Sequence, residues 1–281
     1  MLGVVVLSAL MATIGTYIDK HLVNKGISRN DYFYYMCLSM IPFSVIIIVI
    51  EILTNNFKFE FSIIPIILLI LAMFVRYKQQ HTIVGCLTHL NPYESVTYMS
   101  LGIILAFIID SILGIKQFSI ITLASIVLTL IGVFTLADVK LKIKSLQKDL
   151  IIRIVCEITM GYITHYILKY WSNASFIFIL NLLLTIIFSK GYTIQYHKKN
   201  KNILKWVFIQ QTFGFCSTYL GNYLSSNSVV LSSYTKPVSI VLTILVAFVI
   251  KSNEKKPKLL DVFAVFLVAV RYRITKYNII K

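Results

Sequence analysis

The chain has 281 residues, 58% of them hydrophobic and 14% charged, with 27 Lys and Arg against 11 Asp and Glu for a formal net charge of +16. Soluble domains average about 45 to 50% apolar and about 25% charged, so this sequence lacks the polar surface to coat a water-soluble fold, and a large soluble domain is excluded. The bilayer is the expected solvent.

A spanning helix uses about 20 residues, and ten apolar runs of roughly that size follow one another. In chain order they are Leu2 to Leu22, Phe33 to Leu53, Ile63 to Leu87, Tyr93 to Leu113, Phe118 to Ala137, Leu150 to Tyr170, Ser175 to Tyr192, Leu204 to Leu224, Val229 to Ile250 and Leu259 to Tyr277. The first lacks a basic n-region and a small-residue cleavage site, so it reads as a span, not a signal peptide. Cys37, Cys86, Cys156 and Cys216 each lie singly inside an apolar run, with no CxxC or Cys/His metal spacing. No redox role, metal or cofactor is expected.

The longest polar break near mid-chain, Asp138 to Asp149, divides the runs five and five. The pattern Met11, Ile14, Tyr17, Ile18, Lys20, Asn24 recurs as Met160, Ile163, Tyr166, Ile167, Lys169, Asn173, six identities at one offset of 149. Gly85, Asn91 and Tyr98 match Gly221, Asn227 and Tyr234 at an offset of 136. The expected organisation is therefore an all-α membrane protein of ten transmembrane helices in two five-helix repeats, residues 1–145 and 146–281. Because five is odd, the second copy enters the membrane from the opposite side, and inverted repeats are characteristic of secondary transporters.

The sequence resembles the drug/metabolite transporter superfamily, specifically its ten-span EamA-type branch, over nearly its full length. The resemblance is carried by TyrIleAspLys at Tyr17 to Lys20, GlyCysLeuThrHisLeuAsnProTyrGlu at Gly85 to Glu94, LeuGly at Leu113 and Gly114 with a fifth span ending IleGlyVal at Ile131 to Val133, and LysProVal at Lys236 to Val238. Two places depart from the family pattern. Ile115 stands where an acidic residue is frequent, and the last span ends AlaValArgTyrArg, Ala269 to Arg273, rather than in a Gly-containing helix. The resemblance implies a multi-pass protein of the plasma membrane that works by alternating access.

An ionisable group at bilayer depth costs a few kcal/mol or more unless it faces a cavity or a partner, so each is a functional candidate. The third span carries Arg76, Lys78, Gln79, Gln80 and His81. Arg76, Gln79 and Gln80 share one helical face and Lys78 and His81 the opposite one. Arg76, Lys78 and Gln80 are candidates for a polar cavity, as third spans provide in the family; the alternative is a cluster at the headgroup level with snorkelling side chains. Lys236 precedes Pro237, whose missing N–H leaves the Ser233 carbonyl without a helical partner. The resemblance extends distantly to triose-phosphate and nucleotide-sugar translocators, in which a ninth-span lysine meets phosphate; snorkelling is the alternative for Lys236.

Glu157 in the sixth span is the candidate for proton coupling, with an ion pair to Lys169 or Arg153 as the alternative, although its repeat partner is Ser8. Glu94 is expected to cap a helix, and Asp110, close to Lys116, to serve topology or a surface pair. Tyr17, Tyr98, Tyr166 and Tyr234 form two repeat-related pairs on the spans that line the family's central cavity. They are substrate-contact candidates, with helix packing as the alternative. Tyr32, Tyr34, Tyr35, Tyr170 and Trp171 read as an interfacial aromatic belt.

The loops after spans one, five, seven and nine hold fifteen basic residues, from Lys20 to Arg29, Lys140 to Lys148, Lys198 to Lys205 and Lys251 to Lys258. The other side holds five: Lys58, Lys116, Lys169, Lys276 and Lys281. The positive-inside rule puts the four loops in the cytoplasm and both termini outside, opposite to the usual family orientation. The functional expectation is a secondary carrier of a small polar metabolite, anionic or zwitterionic, with proton or cation coupling and a homodimer both compatible. An intramembrane enzyme finds no GxSxG-like elbow or HExxH motif, and nucleic acid is not an expected partner. The other reading is a non-transporting or lipid-handling subunit of an envelope-polymer system.

Overall fold

The computed structural model describes residues 1–137 and 148–249. Among the described residues every regular element is a helix, and one isolated bridge joins Phe59 to Trp171. The helices are α1 (Leu2–Asn24), α2 (Arg29–Leu53), α3 (Ile63–His89), α4 (Pro92–Met99), α5 (Gly102–Ile112), α6 (Ile120–Ala137), α7 (Lys148–Ile167), α8 (Asn173–Ile187), α9 (Ile194–Lys199), α10 (Lys201–Asn227), α11 (Val229–Ser233) and α12 (Thr235–Val249). Helices α1, α2, α3, α7 and the α4–α5 segment are long and apolar enough to cross a membrane; α6, α8 and the α11–α12 segment are apolar but shorter. The run Leu259 to Tyr277 lies outside the described residues.

Local chemistry sets the breaks. Ser28, Ser172 and Ser228 cap α2, α8 and α11, each accepting a backbone N–H of the first turn. Asn91 and Glu94 form a capping box, with Glu94 accepting from the Asn91 N–H at 2.8 Å, and Pro92 fills the first turn of α4. Two runs expected as single spans are each two helices. The fourth breaks at Ser100 and Leu101, where the backbone tightens to bonds three residues apart. The ninth breaks at Tyr234, so Pro237 lies in the first turn of α12, where its ring is tolerated.

Helix directions follow from the end contacts. The Lys20 ammonium, near the end of α1, donates to the Leu87 and Leu90 carbonyls at the end of α3, at 2.6 and 3.2 Å. Arg29 at the start of α2 pairs with Asp149 at the start of α7, at 2.8 Å. The start of α7 therefore lies level with the end of α1, and α7 runs opposite to α1. Glu51, late in α2, accepts from the Ser172 hydroxyl at 2.5 Å, the Ala174 N–H at 3.2 Å and the Tyr219 hydroxyl at 3.1 Å, which ties the start of α8 and the later part of α10 to the other end. Neighbours are matched in kind: α1 packs on α10 as α7 packs on α3, α2 on α8 and α4 on α12.

The end carrying Lys20, Lys25, Arg29, Lys198, Lys199, Lys201 and Lys205 is the basic end. It is sealed by Tyr34 stacked on Tyr192 at 3.7 Å, and by Asp31 accepting from the hydroxyls of Tyr192 and Tyr196 at 2.9 and 2.7 Å. That hydrogen bond, with burial, raises the Tyr196 hydroxyl above the usual tyrosine range, so it stays a neutral donor. Tyr32, Tyr34 and Tyr35 are buried inside the bundle, and Trp171 donates its indole N–H to the Glu60 carbonyl at 2.8 Å. The expected aromatic belt is at these positions an internal seal.

Two glycines allow close approach. A Cβ on Gly85 would stand 1.7 Å from the Asp149 carboxylate and 2.6 Å from the Arg29 guanidinium, so the ion pair lies directly on the α3 backbone. A Cβ on Gly161 would meet Val229 at 2.8 Å, where α7 crosses α11. Small residues at crossings drive helix association where lipid supplies no hydrophobic force.

Candidate functional site

Polar and small residues recur every three or four positions along one face of several helices. On α1 they are Ser8, Ala12, Gly15, Thr16 and Asp19; on α7, Arg153, Glu157, Gly161 and Thr164; on α10, Gln211, Gly214, Thr218, Asn222 and Ser225. That spacing puts each set on a single helical stripe, and the stripes turn inward onto one cavity of about 260 Å³. Arg76, Gln79 and Gln80 of α3 and Thr235 and Lys236 of α12 complete its polar wall, with Gly102 at the break between α4 and α5. A bundle with lipid outside and water-like groups inside is the inverse of a soluble fold, which is why α10, 27 residues long and read as the eighth span, is not among the five helices most clearly apolar enough to cross a membrane.

The cavity grades along its length. Toward the start of α11 its wall is hydroxyl and amide, from half-exposed Ser217, Thr218, Asn222, Ser232 and Ser233. Toward the basic end it is charged and closed: Asp19, Tyr32, Arg76, Gln80 and Gln211 are all buried. Tyr32 donates to Asp19 at 2.8 Å. Arg76 donates to Gln79 Oε1 at 3.2 Å, and Gln80, with its amide oxygen turned to the guanidinium, accepts at 2.8 Å. Lys236 and Glu157 form an ion pair at 2.5 Å across the cavity, between α12 and α7. Arg153 donates to the Ser95 hydroxyl at 3.0 Å.

Of the residues singled out in the sequence, Arg76, Gln80, Glu157 and Lys236 therefore meet in one place. Glu157 takes Lys236 as its ion-pair partner rather than Lys169 or Arg153. Lys78 does not join them: it is exposed on the opposite face of α3, its ammonium 5.8 and 5.9 Å from the rings of Phe74 and Tyr77. None of the four tyrosines lines the cavity. Tyr17 donates to the Thr243 carbonyl at 3.0 Å, Tyr98 packs edge-on to Phe134, the Lys169 ammonium lies 4.7 Å over Tyr166, and Tyr234 packs against the Ile103–Phe107 cluster. Tyr17, Tyr98 and Tyr234 thus pack helix against helix, the alternative left open for them, while Tyr166 meets side chains at the end of its own helix. Asp110 is likewise no surface pair: fully buried, it accepts from Tyr162 and Ser228 at 2.7 Å and anchors the start of α11.

The sequence reading missed Asp19, Tyr32, Asn181, Gln210, Gln211 and Asn222 as cavity residues. The inward stripe of α10 was the available signal, since a polar and small set at helical spacing inside an apolar run has one place to go. Among the described residues no group of three His, Cys, Asp or Glu side chains is placed to hold a metal ion.

Fold and site together define an all-helical protein of membrane character, with a polar cavity between its helices in which three basic groups face two carboxylates. No family model matches the chain, and no curated protein matches it.

Proposed function

We propose that the chain is a secondary transporter of a small anionic or zwitterionic metabolite, related to the EamA-type branch of the drug/metabolite transporters and resident in the plasma membrane. On this reading ten spans form two inverted five-helix repeats, 1–145 and 146–281, that rock about the shared cavity. The observation that carries the reading is the charged cavity enclosed by α1, α3, α7 and α10 and reached by the breaks in two apolar runs. Interrupted helices at corresponding places in two halves are how secondary carriers build a site at the midplane. Here the breaks lie at Ser100–Leu101 and at Tyr234, in segments that the offset of 136 relates. The matched helix pairs and the opposed directions of α1 and α7 support inversion.

The burial gradient supports a cavity open to the sparsely charged end and closed at the basic end. Glu157, within the cavity, is the group available for coupling. The experiment is solute flux into proteoliposomes with an anionic, zwitterionic, neutral and cationic metabolite panel under proton and sodium gradients. Gradient-dependent flux of anionic or zwitterionic solutes is expected, lost in Lys236→Ala. An inert result across the panel and gradients sinks the reading.

A further inference from the structure

The charges of the cavity do not resolve into pairs. Arg76, Arg153 and Lys236 face Asp19 and Glu157. Asp19 is already held by the Tyr32 hydroxyl and the Gln210 amide. Glu157 is the carboxylate that three cations share: it bonds Lys236 at 2.5 Å, while Arg153, one turn back on the same face of α7, and Arg76 on α3 add their attraction. Among the described residues neither guanidinium is in an ion pair. Arg76 is bonded only to the amides of Gln79 and Gln80, and Arg153 donates to the Ser95 hydroxyl. Arg76, buried and hydrogen-bonded only to neutral amides, has its charge offset just at a distance, by a Glu157 that Lys236 already holds, and so is the cation best placed to take an arriving anion.

We propose that Glu157 is a built-in stand-in for the acid group of the solute. In the empty cavity its carboxylate fills the anion position on Lys236. A small dianion takes both cations, a dicarboxylate with one carboxylate on Lys236 and the other on Arg76, a phosphate ester with different oxygens of its one phosphoryl group, and Glu157 turns to Arg153. Residues four apart on a helix are at ordinary ion-pair spacing, so the turn needs no backbone movement. The exchange forms and breaks no covalent bond and moves no proton; each carboxylate trades one cation for another. A cavity of about 260 Å³ is at the small end of ligand sites, which suits a solute of this class. Because Ser8 stands at the repeat-related position, only the second half carries the stand-in. The proposal rests on the transporter reading for what the site is for, and on geometry for what it binds.

The test titrates the purified full chain in detergent with succinate, inorganic phosphate and the neutral diamide succinamide, read by melting temperature and calorimetry. The wild type binds succinate or phosphate and ignores the diamide; which of the two it takes assigns the dicarboxylate or the phosphate-ester class. Glu157→Gln frees Lys236 and binds that dianion about tenfold tighter, as when one molecule in ten otherwise presents an open site. Lys236→Ala weakens binding and abolishes the gain in the double variant. Glu157→Asp, one methylene shorter and still charged, shifts affinity the same way and serves if the Gln variant does not fold. Dianion affinity unchanged or weaker in the Glu157 variants, no dianion binding at all, or an equal response to the diamide overturns the proposal. Tightening in the variants without flux in proteoliposomes sinks the transporter reading alone. Flux of neutral or cationic solutes without dianion binding sinks the stand-in alone.

Discussion

At Arg76 the side chain serves a purpose other than stability. The residue is 8% exposed, its hydrogen-bond partners are two amides, and it lines a cavity. Replacing a buried ionic group by an apolar side chain of similar volume is often neutral or stabilising, because its desolvation cost goes with it. Arg76→Met is expected to melt no lower than the wild type in the absence of solute, and to lose the melting shift that a bound anion gives the wild type. A variant that melts several degrees lower without solute would make Arg76 structural. Gly85 and Gly221 give a second contrast. Repeat-related in sequence, they differ in surroundings: a methyl at Gly85 drives into the Arg29–Asp149 pair, whereas nothing lies within 4 Å of one at Gly221. Gly85→Ala is expected to cost about 1 to 3 kcal/mol by overpacking, and Gly221→Ala close to nothing, both measured by denaturation of the purified protein. Arg76, Gln79 and Gln80 were legible because the 100° rotation per residue separates them from Lys78 and His81, and the structure keeps that separation. The role of the tyrosines was not legible, because an aromatic at helical spacing has the same pattern whether its hydroxyl meets solute or a neighbouring carbonyl, as that of Tyr17 does.

At the scale of elements, the first eight apolar runs and the described part of the ninth each overlap helix, because a run of that length and hydropathy favours a helix that buries its own backbone bonds. The breaks inside the fourth and ninth runs were hidden, since Ser100, Leu101 and Tyr234 interrupt no hydropathy pattern. Pro237 pointed to the second break but not to its place, which lies three residues earlier. Glu51 was hidden too. It stands where α2 ends, a position at which a carboxylate normally reaches water, yet it is 6% exposed and satisfies three donors from α8 and α10. Truncating one partner of a buried network leaves the others unmatched, at about 1 to 3 kcal/mol per group. Glu51→Ala is therefore expected to lower the melting temperature clearly, while Glu60→Ala, at an exposed site nearby, leaves it within error. Equal melting of the two variants would mean that water reaches the Glu51 network.

For the whole molecule, sidedness follows from which end the lysines occupy. Within the described residues Lys25, Arg29, Lys198, Lys199, Lys201 and Lys205 lie at the end sealed by Tyr34 and Tyr192, and Lys58, Lys116 and Lys169 at the other. Basic loops resist translocation, so the sealed end is expected in the cytoplasm, with the cavity opening outward. The chemistry of the cavity does not recur along the chain: at the two sequence offsets Glu157 is answered by Ser8 (149) and Lys236 by Ser100 (136). On the proposed inverted-repeat reading, symmetry would supply two equivalent closures, and the single set of charges would serve both. In a background freed of Cys37, Cys86, Cys156 and Cys216, Lys58→Cys is expected to react with a membrane-impermeant maleimide in intact cells. Lys198→Cys is expected to react only after permeabilisation. The reverse pattern would place both termini inside, as is usual for the family this sequence resembles, and would turn the open face of the cavity toward the cytoplasm.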